Sequence, residues 1–179
     1  MQINFKKHLM ILWIGVAMFL SGCGANVADY KGSTPDLNIQ DYFTGPIKAW
    51  GIVQDRSGKV VQRVHIDMVG KWDGDNGTLS EELNYSDGRI EKRTWVLKKT
   101  AQNKFTGTAE GIVGQAVGES NGMAIRWNYV MTIPVDGKSY DITFDDWMFA
   151  MDDKVMVNRS YMTKFGFKVA EISLFMQKQ

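Results

Sequence analysis

The sequence predicts an all-β protein: an antiparallel up-and-down meander of about 8–10 strands that closes into a barrel. Three observations lead there. Turn pairs punctuate the chain at short intervals: Ser57-Gly58, Asp75-Asn76, Asp87-Gly88, Asp136-Gly137, Asp152-Asp153 and Phe165-Gly166. The runs between them alternate apolar and polar residues with a period of two, and no long helical period interrupts them. Six Trp, six Tyr and nine Phe supply the bulky side chains that a β core favours.

The N-terminal segment has a different plan. Lys6 and Lys7 precede an unbroken apolar or small run from Leu9 to Leu20, followed by Ser21-Gly22-Cys23. A positive start, an apolar stretch shorter than the ~20 residues of a membrane span and a small-residue exit describe a secretory signal peptide. Leu20-Ser21-Gly22-Cys23 resembles the bacterial lipobox. That resemblance implies a diacylglyceryl group on the Cys23 thiol, cleavage before it and acylation of its amine. Several buried acyl chains, at about 0.8 kcal/mol per CH₂, would hold the protein on a membrane. Gly24 and Ala25 follow instead of an Asp, which by the same resemblance implies the periplasmic face of the outer membrane, with the inner membrane as the alternative. The chain therefore divides into a lipoprotein signal peptide at 1–22, an acylated tether at 23–36 and a single β-barrel domain at 37–179. With its one cysteine used as the anchor, the domain has no disulfide and no thiolate metal site.

Charge narrows the partners. The chain has 21 Lys and Arg, two of them in the leader, against 20 Asp and Glu, so the domain is close to neutral. No basic block suggests nucleic acid.

Next come a short helical turn around Leu37 to Phe43 and then the strands. In a two-residue hairpin, opposed residues share a face. Centred on Asp136-Gly137, Ile133 meets Tyr140, Met131 meets Ile142, Tyr129 meets Phe144, Trp127 meets Asp146 and Ile125 meets Met148. Centred on Asp152-Asp153, Met148 meets Val157, Asp146 meets Arg159 and Phe144 meets Tyr161. Phe165-Gly166 sets Val157 by Leu174 and Arg159 by Ile172. Asp75-Asn76 sets Met68 by Leu83 and Trp72 by Leu79, and Asp87-Gly88 sets Tyr85 by Ile90. The opposite face collects Arg63, His65, Asp67, Glu82, Glu91 and Arg93. A continuous apolar face must be hidden from water, and closing the meander hides it and removes the sheet edges. The first hairpin leaves open whether Trp50 points inward.

Two resemblances follow from these residues. Tyr42-Phe43-Thr44-Gly45, Ala49-Trp50-Gly51 and the distant Asn158-Arg159 are similar to a lipocalin entrance, in which an Arg packs over a Trp. Over nearly the whole chain, Gly45…Trp50-Gly51, Asp87-Gly88…Arg93-x-Trp95, Gly107…Gly114…Gly118, Asp145-Asp146-Trp147-Met148 and Asn158-Arg159…Lys164-Phe165-Gly166 resemble a family of proteobacterial lipoproteins of unknown function. That resemblance implies a lipocalin-like (calycin-type) barrel and a link to fatty-acid chemistry, and it implies no activity.

The candidate ligand-binding residues are Arg159, Asp146, Trp127, Tyr129, Tyr161 and Trp50. The expected register buries Asp146 against Arg159 beside Trp127, whose indole N–H is placed to donate to the carboxylate. A buried charge needs a partner, so the pair reads either as a polar end for a ligand's carboxylate or as a structural ion pair. The Met and aromatic face (Met68, Met123, Met131, Met148, Met156, Met176, Tyr129, Phe144) reads either as an adaptable lipid pocket or as filled core. Asp145, Asp146, Asp152 and Asp153 alternate faces or sit in a turn, which does not suit calcium. His8 leaves with the leader and His65 lies on the polar face, so no zinc site, cofactor or Ser-His catalysis is expected, and no catalytic residue is assigned. Gly107, Gly111, Gly114 and Gly118 suggest barrel bends or a portal loop. The expected function is non-catalytic binding or transport of a lipid or other hydrophobic ligand. A filled barrel docking an envelope partner is the alternative, and an enzyme acting on lipids ranks behind both.

Overall fold

Strand alternation gives every strand an inner and an outer face. In the computed structural model, which describes residues 24–135 and 137–179, the inner faces converge on one core. The expected signal peptide, the acylated Cys23 and the turn residue Asp136 lie outside the described residues. The strands are β1 (Gly45–Asp55), β2 (Val60–Asp73), β3 (Asn76–Tyr85), β4 (Ile90–Ala101), β5 (Lys104–Thr108), β6 (Ile112–Asn121), β7 (Ala124–Val135), β8 (Lys138–Ala150), β9 (Val155–Lys164) and β10 (Phe167–Lys178). Each pairs antiparallel with its neighbours in sequence, and β1 pairs with β10, closing the barrel.

The β7–β8 hairpin has the expected register: Trp127 opposes Asp146 and Tyr129 opposes Phe144. The other turns differ, and each difference has a local cause. The β2–β3 turn is centred on Gly74-Asp75, one residue earlier than expected, with Gly74 at φ +54°. Met68 therefore meets Glu81 and Trp72 meets Gly77; a shift of two keeps the same face inward.

The β3–β4 connection is a three-residue loop, Ser86 to Gly88, with Gly88 left-handed at φ +89°. An odd loop reverses parity. Asn84 pairs with Ile90, and Glu91 and Arg93, expected outside, face the interior.

Between β8 and β9 the Asp152 carboxylate accepts from the backbone N–H groups of Lys154 (2.8 Å) and Val155 (2.7 Å), widening the turn. Asp146 therefore meets Ser160, Met148 meets Asn158, and Arg159 turns outward opposite Trp147. A bulge at Val169 displaces β10 by the same step, so Leu174 meets Asn158. An irregularity where Gln54 meets Val60 sets Trp50 beside His65 on the outer face.

One end of the barrel is plugged. Helix α1 (Ile39–Tyr42) begins at Asn38, whose side chain accepts from Gln40 N–H at 3.0 Å. It buries Ile39, Tyr42 and Phe43 beneath the strands. Gly70 is required there, because a Cβ would run into the Phe43 carbonyl. The segment expected as a tether is docked from Asn26 onward. Asn26 and Asp29 form a capping box around the 3₁₀ turn Val27–Tyr30, Tyr30 packs on Trp147 and Phe149 (centroids 5.9 and 5.5 Å), and Leu37 N–H donates to Gly122 O at 3.0 Å. The opposite end carries the β1–β2, β3–β4, β5–β6, β7–β8 and β9–β10 hairpin tips and, among the described residues, no helix.

Candidate functional site

Inside the strands lies a cavity of about 720 Å³. It has three storeys, set by which inward positions lie near the plug and which near the hairpin tips. At the plugged end the lining is apolar: Ile39, Phe43, Met68, Leu79, Leu97 and Trp127. Toward the open end it is apolar again, with Met131, Ile133, Phe144, Met162 and Ile172. The Trp127 indole lies flat over β6: a Cβ at Gly118 would come within 2.8 Å of its ring, so that glycine seats an aromatic, while one at Gly107 on β5 would meet Leu97 at 3.0 Å. Gly111 (φ +82°) and Gly114 (φ +71°) supply the turn and the bulge at β6 instead.

The middle storey is polar. Arg93 on β4 reaches Glu81 on β3 and Glu91 on its own strand, each at 3.9 Å. Tyr85 donates from its hydroxyl to Glu91 at 3.3 Å. Across the cavity, Asp146 on β8 accepts from the Asn158 side-chain amide, which also donates to Trp147 O at 3.1 Å. The Tyr129 hydroxyl is turned toward the same carboxyl. Ser160 lies opposite Asp146 in the ladder; it is 3% exposed, and its hydroxyl has no partner among the described residues.

Burial dominates the electrostatics. Asp146, 8% exposed, has its pKa pushed up to about 7 by desolvation, opposed by the Asn158 hydrogen bond. Desolvation also raises Glu81, although Arg93 pulls the other way, and holds Tyr129 well above the usual phenol range. Asp146 can therefore exchange a proton near neutrality. His65 stays outside, 3.7 Å from Asp67, and no cluster of potential metal ligands occurs among the described residues.

Of the residues expected at the site, the structure brings together Asp146, Trp127 and Tyr129. The other three are corrections. Arg159 is on the outer wall, half-exposed, bonded to Glu171 at 3.3 Å and stacked on Tyr161 at 4.4 Å. Tyr161 is outside with it. Trp50, 43% exposed, packs on His65 and Phe175 and carries no Arg over it. The Asp146–Arg159 pair does not form, because the odd β8–β9 turn puts adjacent residues on opposite walls. Asp145 faces outward and is held by Arg126 at 2.6 and 3.0 Å. The Met face is a cavity wall at Met68, Met131, Met148 and Met176, not a filled core. Met156 is fully buried, and Met123 sits in the β6–β7 turn.

A family profile matches residues 17–178, nearly the whole chain. The chain belongs to the DUF3833 family, proteins of unknown function. No curated protein matches it. Among solved structures, this family member is similar to an S-type phycobiliprotein lyase from Guillardia theta, with 10% identity and a TM-score of 0.51 over 80% of this chain and 94% of that one. At that identity the likeness concerns the fold alone, a lipocalin-like barrel.

Sequence reasoning missed Glu81, Glu91, Arg93, Asn158 and Ser160. Glu81 was visible as the polar member of the inward series Leu79-x-Glu81-x-Leu83. The other four depended on turn parity.

Proposed function

We propose that this barrel is a non-catalytic carrier of a lipid or other hydrophobic ligand, anchored through an acylated Cys23 to the periplasmic face of the outer membrane. The observation that carries the reading is the cavity. Its 720 Å³ lies within the range of about 300–1,000 Å³ that small-molecule sites occupy. Its walls are aliphatic, methionine and aromatic, which suits a flexible apolar guest. The lip suits one too: Phe165 at the β9–β10 tip is 88% exposed and Phe167 is 67% exposed, with Lys164 stacked between Tyr140 and Phe165. An interaction module with a filled barrel is harder to reconcile with that empty interior.

Native mass spectrometry of the soluble domain carrying Cys23→Ser, secreted and purified without detergent, tests this. A co-purified lipid that is lost on denaturation and depleted in Leu83→Trp, which narrows the cavity, is the expected result. An apo mass that stays apo after incubation with envelope lipids would sink the carrier.

A further inference from the structure

The polar middle storey has a sign. The cavity is lined by three cations, Arg89, Lys92 and Arg93, and by four carboxyl groups, Glu81, Glu91, Glu110 and Asp146; Arg89 is held by Asp87 and Glu91 at 2.9 Å each, and Lys92 by Glu82 at 3.2 Å. Arg93 is already bracketed by Glu81 and Glu91 at 3.9 Å each, so it is not a free cation awaiting an anion. Asn158 engages one oxygen of Asp146 and the Tyr129 hydroxyl is turned toward the same carboxyl, which keeps further acceptor lone pairs; across the ladder stands Ser160, whose buried hydroxyl has no partner among the described residues. A buried hydroxyl left unmatched is unfavourable, so it marks a place where a guest can supply the missing bond. Asp146 offers acceptors, and Ser160 a hydroxyl that can accept one bond and donate another, on the polar storey between two apolar ones. A ligand carboxylate or phosphate placed there would meet like charge with no spare guanidinium; a donor head would meet its complement.

We propose that Asp146 and Ser160 form the head-group subsite of the cavity, and that it takes an amphiphile whose head donates hydrogen bonds and carries no negative charge, an amine or a hydroxyl. This rests on the carrier reading and narrows its ligand class: free fatty acids are the disfavoured guests. Asn158 holds the Asp146 carboxyl in place, and the apolar storeys on either side take the chain.

The test is a competition series of equal chain length, dodecylamine, dodecanol and laurate, displacing an environment-sensitive apolar fluorophore from the Cys23→Ser domain at pH 8. The amine and the alcohol should displace it at concentrations at least about tenfold below laurate. Ser160→Ala should weaken the amine and the alcohol by about tenfold without changing the fluorophore's own affinity. Asp146→Asn should act mainly on the amine. Ser160→Ala removes a buried hydroxyl that has no partner among the described residues, so it should fold normally, and a melting temperature equal to or above the parent's shows that its effect is on binding. Equal binding of all three, or laurate binding tightest, overturns the head-group assignment and leaves the carrier standing. Failure to take up either the fluorophore or any member of the series overturns both.

Discussion

Asn158 donates its side-chain amide to the carboxyl of Asp146 inside the barrel, while Arg159, the next residue, lies outside on Tyr161. The polarity of the interior follows from that alternation. Had the register slipped by one, a guanidinium would face Asp146 and the cavity would accept anions.

The titration of Asp146 should be visible in stability. Its folded pKa of about 7 lies above the ordinary carboxyl value, so between those two pH values the folded protein keeps a proton that the unfolded chain has lost. Stability is therefore greatest below the ordinary carboxyl pKa and falls as pH rises toward 7, by at most a few kcal/mol. The groups facing Asp146 are Glu81 from β3, Arg93 from β4, Tyr129 from β7, and Asn158 and Ser160 from β9. Asp146→Asn keeps the acceptor for Asn158 and removes the charge. Thermal melts from pH 5 to 8 should show a falling midpoint for the parent and a flatter one for the variant, with the variant the more stable at pH 8. Parallel curves would contradict this.

Arg93 and Arg159 should behave differently. Arg93→Met leaves Glu81, 13% exposed, without its cation, while Glu91 keeps Arg89 at 2.9 Å, so the loss is about 3 kcal/mol. Arg159→Ala removes a half-exposed contact to Glu171 and a stack on Tyr161, worth no more than about 1 kcal/mol. Urea unfolding of the two variants should rank them in that order.

Gly70 holds the plug. Gly70→Ala drives a methyl into the Phe43 carbonyl, backbone against backbone, so α1 must move. The expected cost is about 2–4 kcal/mol. Faster hydrogen exchange at the backbone N–H groups of Tyr42 and Phe43, which bond to Asn38 and Ile39, should accompany it. A loss of stability with exchange unchanged there would place the strain elsewhere.

Narrowing the cavity should separate folding from binding. Leu83 is buried and lines the chamber, so Leu83→Trp has space to grow into. The melting temperature should hold within a few degrees while uptake of an apolar fluorophore falls at least tenfold. Undiminished uptake would put the fluorophore outside the barrel.

Alternation and turn residues by themselves determined that this chain is a closed antiparallel barrel, and for β7–β8 they also determined the register, because a two-residue turn leaves only one parity. Trp127, Tyr129 and Asp146 were legible for that reason. The rest was decided by the tertiary structure at three small features. Gly88 closes a three-residue loop, the Asp152 carboxylate widens the β8–β9 turn, and Val169 bulges. Each inserts one residue, and in a strand one residue exchanges the walls. The exchange sent Arg159 and Tyr161 out and brought Glu91, Arg93, Asn158 and Ser160 in. Turn pairs mark where a chain reverses; the hydrogen bonds that set a loop's length form only when both strands are in place, and those bonds chose the chemistry of the interior.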